Sequence, residues 1–172
     1  MKRLLLPAAA CAAALLSVPS TYAQSRTDSF GVSLTVEAEC TVAADDLSFG
    51  TTGIIDGDID AQANLTVTCT EGSAYAIGLD AGAGSGATVA TRKLTHTTVP
   101  ANTVDYSLFQ NAGRSTLWGN TEGTNTVDSA AATGAPEIIP IYGRVNGGQN
   151  VPTGSYLDTV TATVWYGTDL TP

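Results

Sequence analysis

Phe30-Gly31-Val32-Ser33-Leu34-Thr35-Val36 is the stretch on which the fold turns. Phe30, Val32, Leu34 and Val36 alternate with Gly31, Ser33 and Thr35. An extended chain therefore carries four apolar side chains on one face and small or polar groups on the other. Gln24 to Ser29 ahead of it is polar, and the segment runs on to Cys40, where the first strand of a folded domain is expected. Near the other end, Val160, Ala162, Val164 and Tyr166 alternate with Thr161, Thr163 and Trp165 and read as the last strand. Roughly six strands can be placed after Cys40, whereas an Ig-like sandwich has about seven. The expectation is an all-β chain: an incomplete Ig-like antiparallel sandwich of six strands, with one N-terminal strand left over.

The same period of two recurs between these ends. Leu65, Val67 and Cys69 alternate with Thr66 and Thr68; Tyr75, Ile77 and Leu79 with Ala76 and Gly78; Val104, Tyr106 and Leu108 with Asp105 and Ser107. The 26 threonines and the 18 glycines point the same way, since β-branched residues suit pleated surfaces and glycine clusters punctuate them. Turn chemistry fills the gaps: the glycine-rich run Asp80 to Gly86, Asn111-Ala112-Gly113, Asn120 to Gly123, and Asn146-Gly147-Gly148. Pro140 interrupts the apolar segment Ile138 to Val145; it cannot donate to a ladder, so an edge position or a bend is expected there.

The first 23 residues are read as a secretion signal and set aside. Lys2 and Arg3 precede the apolar run Leu4 to Val18, and small Thr21 and Ala23 precede a cleavage point between Ala23 and Gln24. A lipoprotein reading centred on Cys11 fits less well, because Ala8, Ala9 and Ala10 supply no large aliphatic residue upstream. The expected division is 1–23 signal, 24–36 N-terminal strand segment and 37–172 domain, with no membrane anchor. Removal of Lys2 and Arg3 makes the net charge of −9 two units more negative. Phosphate binding needs clustered Lys and Arg, so nucleic acid and anionic membranes are poor partners for this surface. Cys40 and Cys69 remain after cleavage, and an even pair in an exported chain reads as one disulfide tying neighbouring strands.

A search for chemistry returns negatives. His96 is the sole histidine, no nucleophile elbow accompanies it, and it reads as a surface or loop residue. Asp56-Gly57-Asp58-Ile59-Asp60 opens like a calcium loop, but Ala61 and Val67 stand where Gly and a bidentate Glu are required, so an acidic turn is expected. Gly82, Gly84 and Gly86 have the wrong spacing for a dinucleotide cradle and read as a flexible loop. Asn64-Leu65-Thr66, an acceptor triplet for glycosylation, lies within a strand. Trp118 and Trp165 are assigned to packing rather than to a sugar platform. Neither a cofactor nor a metal is expected, and no catalytic residues are assigned.

Taken in order, several fragments resemble the spore coat U domain family, which includes the pilins of archaic chaperone–usher pili. They are the Phe30 strand, Cys40-Thr41-Val42, Ser48-Phe49-Gly50, Leu65 to Cys69, Tyr75 to Gly82, Arg92-Lys93-Leu94, Val104 to Phe109, Leu117-Trp118-Gly119, Ile141 to Val145 and Gly154 to Val160. The acidic stretch Ile54 to Ala63 departs from the pattern, and nothing is carried over there. The resemblance implies a sandwich missing its seventh strand and stapled by Cys40–Cys69. A periplasmic chaperone would lend the missing strand; at an outer-membrane usher, Phe30, Val32, Leu34 and Val36 of the next subunit would replace it. It implies a structural, non-enzymatic subunit passing through the periplasm to the cell surface. The competing readings are a stand-alone secreted binding module, whose own Phe30 strand completes its fold and whose loops hold a glycan, and a small secreted hydrolase.

Overall fold

Tyr75-Ala76-Ile77-Gly78-Leu79 shows how this sequence makes a sheet. Tyr75, Ile77 and Leu79 point into the core, while Ala76 and Gly78 keep the opposite face thin enough to be covered as well, so all five residues are buried. A Cβ on Gly78 would lie 2.7 Å from Asn120 Cα and 2.8 Å from the Trp165 ring, which explains why no side chain stands there.

The computed structural model describes residues 22–167 and 170. Among the described residues nine strands follow one another: β1 (Cys40–Ala44), β2 (Ile59–Cys69), β3 (Tyr75–Leu79), β4 (Arg92–His96), β5 (Thr103–Phe109), β6 (Val127–Ser129), β7 (Glu137–Val145), β8 (Tyr156–Leu157) and β9 (Ala162–Tyr166). They form a six-stranded sheet, β1-β2-β7-β5-β4-β8, and a three-stranded sheet, β6-β3-β9, with every pairing antiparallel. The sheets pack as a sandwich over Leu65 and Val67 of β2, Ile77 and Leu79 of β3, Leu108 of β5 and the buried Trp118. The chain divides into two units, a leading segment ending at Thr35 and a body beginning at Val36.

Nine strands rather than six reflects elements that alternation does not announce. β4 opens on Arg92-Lys93, and β6 and β8 span only three and two residues. β2 begins at Ile59, six residues ahead of Leu65, so Asp60 belongs to a strand rather than to an acidic turn. Pro140 also differs from expectation: β7 lies inside its sheet, between β2 and β5. β5 pairs with β7 only from Tyr142 to Val145, so at Pro140 one flank of the strand has no ladder to interrupt. An imino acid is tolerated where no donor is needed.

Gly143, on the core face of β7, leaves the space that Leu47 and Phe49 fill; a Cβ there would sit 2.9 Å from the Phe49 ring. Phe49 in turn meets Tyr106 of β5 edge-on, with ring centroids 5.9 Å apart. The segment between β1 and β2 is thereby folded over the core as a lid of side chains, and that is what Ser48-Phe49-Gly50 does.

Candidate functional site

Among the described residues four strands are paired on one side only, β1 and β8 at the ends of the large sheet and β6 and β9 at the ends of the small one. β1 bonds β2 and nothing else; β9 bonds β3 and nothing else. β1 and β9 belong to different sheets and approach to within 8 Å between Cα atoms, yet no ladder joins them. The register fixes which side chains look inward at this seam. Cys40 and Val42 stand opposite Cys69 and Val67, and Ala162, Val164 and Tyr166 stand opposite Leu79, Ile77 and Tyr75. Directly opposed residues share a face, so all five of these edge residues turn toward the core.

Burial falls off toward this seam. Val67, Ile77 and Leu79 are fully enclosed, whereas Cys40, Val42, Ala162 and Val164 are only partly buried and Tyr166 is 44% exposed. A sandwich with all its strands covers such positions. Here apolar groups and two rows of unpaired main-chain groups lie along one edge, which is the arrangement that templates the addition of an extended segment.

The leading segment, taken by itself, has the complementary character. None of its described residues lies in a strand. Phe30, Val32 and Leu34 expose 87%, 85% and 87% of their surface, and Val36, the first residue of the body, 71%. Large apolar side chains exposed in a row call for an explanation that scattered ones do not.

The Cys40–Cys69 disulfide joins register partners of β1 and β2, as the cysteine count implied, and so holds the edge strand β1 to its only neighbour. His96 is buried, not a surface residue: its Nδ1 accepts hydrogen bonds from the Thr98 and Val99 amides, its Nε2 lies 3.3 Å from Thr153 O, and Tyr156 packs edge-on against the ring. These contacts consume the imidazole locally. Asp58 and Asp60 form ion pairs with Arg144, and Asp60 also with Arg114, on the outer face of β2 and β7; the Arg144 guanidinium, as first cause, holds the Asp60 carboxyl below its ordinary range. Among the described residues no cluster of three metal-type side chains forms. The glycine loop is packed rather than free, since a Cβ on Gly84 would meet Lys93 O at 2.5 Å. Trp118 is buried and donates through Nε1 to Ile77 O, and Trp165 covers Gly78. Ala23 and Gln24 are exposed; the rest of the signal reading, Cys11 included, lies outside the described residues but for Tyr22.

The family model described as Spore Coat Protein U domain matches residues 26–163. Protein U of Myxococcus xanthus is 31% identical over 173 residues, covering 92% of this chain and 95% of that protein. In fold, the chain is similar to one from the crystal structure of the CsuC-CsuE chaperone–tip adhesion subunit pre-assembly complex of archaic chaperone-usher Csu pili of Acinetobacter baumannii, with TM-score 0.56 and 22% identity over 76% of this chain. It spans only 40% of that chain's length, and at this identity the likeness is one of fold. With the matched region running from Arg26, ahead of the exposed Phe30 segment, to Thr163 in the open strand β9, the chain belongs to the Spore Coat Protein U domain family.

Proposed function

We propose that this chain is a structural, non-enzymatic subunit of an extracellular pilus or surface coat, and that it polymerises by strand exchange. The seam between β1 and β9 accepts Phe30, Val32, Leu34 and Val36 of a neighbouring copy or homologous subunit. The observation that carries the reading is the coexistence of two unpaired, half-covered sheet edges with a leading segment whose apolar row is exposed and in no strand.

Strand addition supplies main-chain hydrogen bonds, and alternate side chains fill the seam; donor-strand complementation of pilins is a named instance of this mode. Burying four such side chains contributes about 6–12 kcal/mol gross, from roughly 1.5–3 kcal/mol each. Because the donating and accepting surfaces differ, the contact is heterologous, and unless the rotation closes it grows an open filament. Before assembly the seam is an aggregation hazard, which is the physical need for a periplasmic chaperone to cover it and for an outer-membrane usher to exchange that cover for the next subunit. A chaperone complex of a protein of similar fold supports this route. Export would follow removal of residues 1–23, placing the product at the cell surface.

The test is mass. Purified chain beginning at Gln24 should give an open series of multimers, and chain lacking residues 24–36 should give none while still capturing a peptide of that sequence. A truncated chain that stays single, soluble and heat-resistant without capturing the peptide contradicts the reading.

A further inference from the structure

Arg92 is fully buried, yet no carboxylate forms an ion pair with it among the described residues. Its guanidinium instead donates to four main-chain carbonyls: Nε to Asp80 O at 2.7 Å, Nη1 to Val89 O at 2.9 Å, and Nη2 to Leu79 O at 2.9 Å and Trp118 O at 2.7 Å. Arg92 belongs to β4 in the large sheet, whereas Leu79 ends β3 in the small one. One side chain thus bridges both layers of the sandwich through a fixed fork of donors.

Two carboxylates extend this bridge to the segment that leads into the open edge strand β9. Asp80 Oδ1 accepts the amides of Gly82 and Thr161, each at 2.9 Å, and the Asp80 amide donates to Thr161 O at 3.1 Å. Thr161 immediately precedes β9. Asp158 Oδ1 accepts the amides of Ala83 and Thr159 at 2.8 Å, and its Oδ2 accepts the Tyr106 hydroxyl at 2.7 Å. Burial pushes the Asp80 carboxyl up, but the two amides and the Arg92 charge outweigh it and hold it below its ordinary range. Asp80, Arg92, Tyr106, Trp118 and Asp158 come from five separated fragments, Tyr75 to Gly82, Arg92-Lys93-Leu94, Val104 to Phe109, Leu117-Trp118-Gly119 and Gly154 to Val160.

We propose that Arg92, Asp80 and Asp158, with Tyr106 behind them, form a polar clamp that positions β9 as an acceptor edge before a donor strand arrives. The inference rests on the strand-exchange reading and adds the residues that keep the seam ready. β9 has a ladder on one side only, so the β3 ladder and the anchor at its N-terminal end are what hold it in line. A prepositioned edge spares the incoming strand the cost of ordering its partner. Asp80 and Asp158 are positioning residues: they touch the segment that leads into β9, not the donor.

The test uses the full chain carrying Leu34→Asp, so that it accepts but does not donate, and a fluorescent peptide with the sequence of residues 28–38. Asp80→Ala, Asp158→Ala and the milder Tyr106→Phe are compared with Val104→Ala, a core change in β5 remote from Thr161 in sequence. Clamp variants should release the peptide about tenfold faster or more, and amide exchange should quicken in Ala162–Tyr166 while Ile59–Cys69, which holds no clamp residue, keeps its protection. Val104→Ala should lower the unfolding midpoint and leave peptide release within about twofold. Should Asp80→Ala or Asp158→Ala fail to fold, Tyr106→Phe carries the same comparison. Unchanged release in folded clamp variants, or equal acceleration by Val104→Ala at matched stability, overturns the clamp but not strand exchange. Failure of the unmodified acceptor to hold the peptide at all removes strand exchange, and the clamp with it.

Discussion

Leu34→Asp isolates the donor role, because Leu34 is 87% exposed and contributes little to the body's own stability. In the assembled state its side chain would move from water into the seam between β1 and β9. Loss of that burial removes about 1.5–3 kcal/mol per contact, which at about 1.4 kcal/mol per decade is roughly a 10- to 150-fold weakening. An ionised carboxylate in an apolar seam adds a desolvation penalty beyond the lost burial, so the effect should exceed that range at neutral pH. The assay is the mass distribution of purified chain by light scattering, alongside the denaturant midpoint of the monomer. The multimer series should collapse to a single species, with the monomer's stability unchanged within about 0.5 kcal/mol, as for a surface substitution. Undiminished polymerisation would refute the assignment of Leu34 to the donor row; an equal fall in monomer stability would show that the segment completes its own fold.

Other consequences follow from the body. Reducing Cys40–Cys69, or replacing both with serine, opens a loop with a sequence separation of 29; the chain-entropy relation puts the loss at about 3–4 kcal/mol, read from urea unfolding with and without reductant. Gly78→Ala drives a methyl into Asn120 Cα and the Trp165 ring and should destabilise by about 1–3 kcal/mol, measured by the same unfolding curves. The Tyr75 hydroxyl of β3 donates to Glu137 of β7 at 2.8 Å across the two sheets. Burial, then the Glu137 carboxylate, pushes Tyr75 from 10.0 up to about 12. A raised acid keeps its proton longer folded than unfolded, so stability is intact below about pH 10 and declines as pH rises toward about 12; Tyr75→Phe should make that decline shallower. Glu137 runs the other way: the Thr133 amide first, then Tyr75, holds it low. Its contribution is present above the unfolded carboxylate range and lost as pH falls through the lower folded value, and Glu137→Gln should flatten acid unfolding there.

The sequence shows its strands where large apolar residues alternate with small or polar ones. Leu65 to Cys69 does so because only one face is buried; Tyr75 to Leu79 does so because Ala76 and Gly78 keep its second buried face thin. The pair Cys40 and Cys69 announces the stapling of β1 to β2. β4 is hidden because its first inward residue is Arg92, buried by donating to carbonyls that only the folded topology assembles. His96 looks like a surface residue for the same reason: besides the nearby Thr98 and Val99 amides, the groups that enclose it, Thr153 and Tyr156, are more than fifty residues away. Pro140 misleads because the absence of a partner is local to part of one strand. Of the candidate site, the exposed row at Phe30 to Val36 is legible as alternation, whereas the seam that would take it depends on which strands end up unpaired, a property of topology that no local pattern carries.

The most direct measurement of strand exchange places p-benzoylphenylalanine at Phe30 in the full chain, mixes isotopically heavy and light chains before assembly, irradiates, and maps the cross-links by mass spectrometry. Links joining heavy to light chains and landing in Cys40–Ala44 and Ala162–Tyr166 are the predicted result. Links confined to the same chain, or between chains but away from these two strands, would contradict the account.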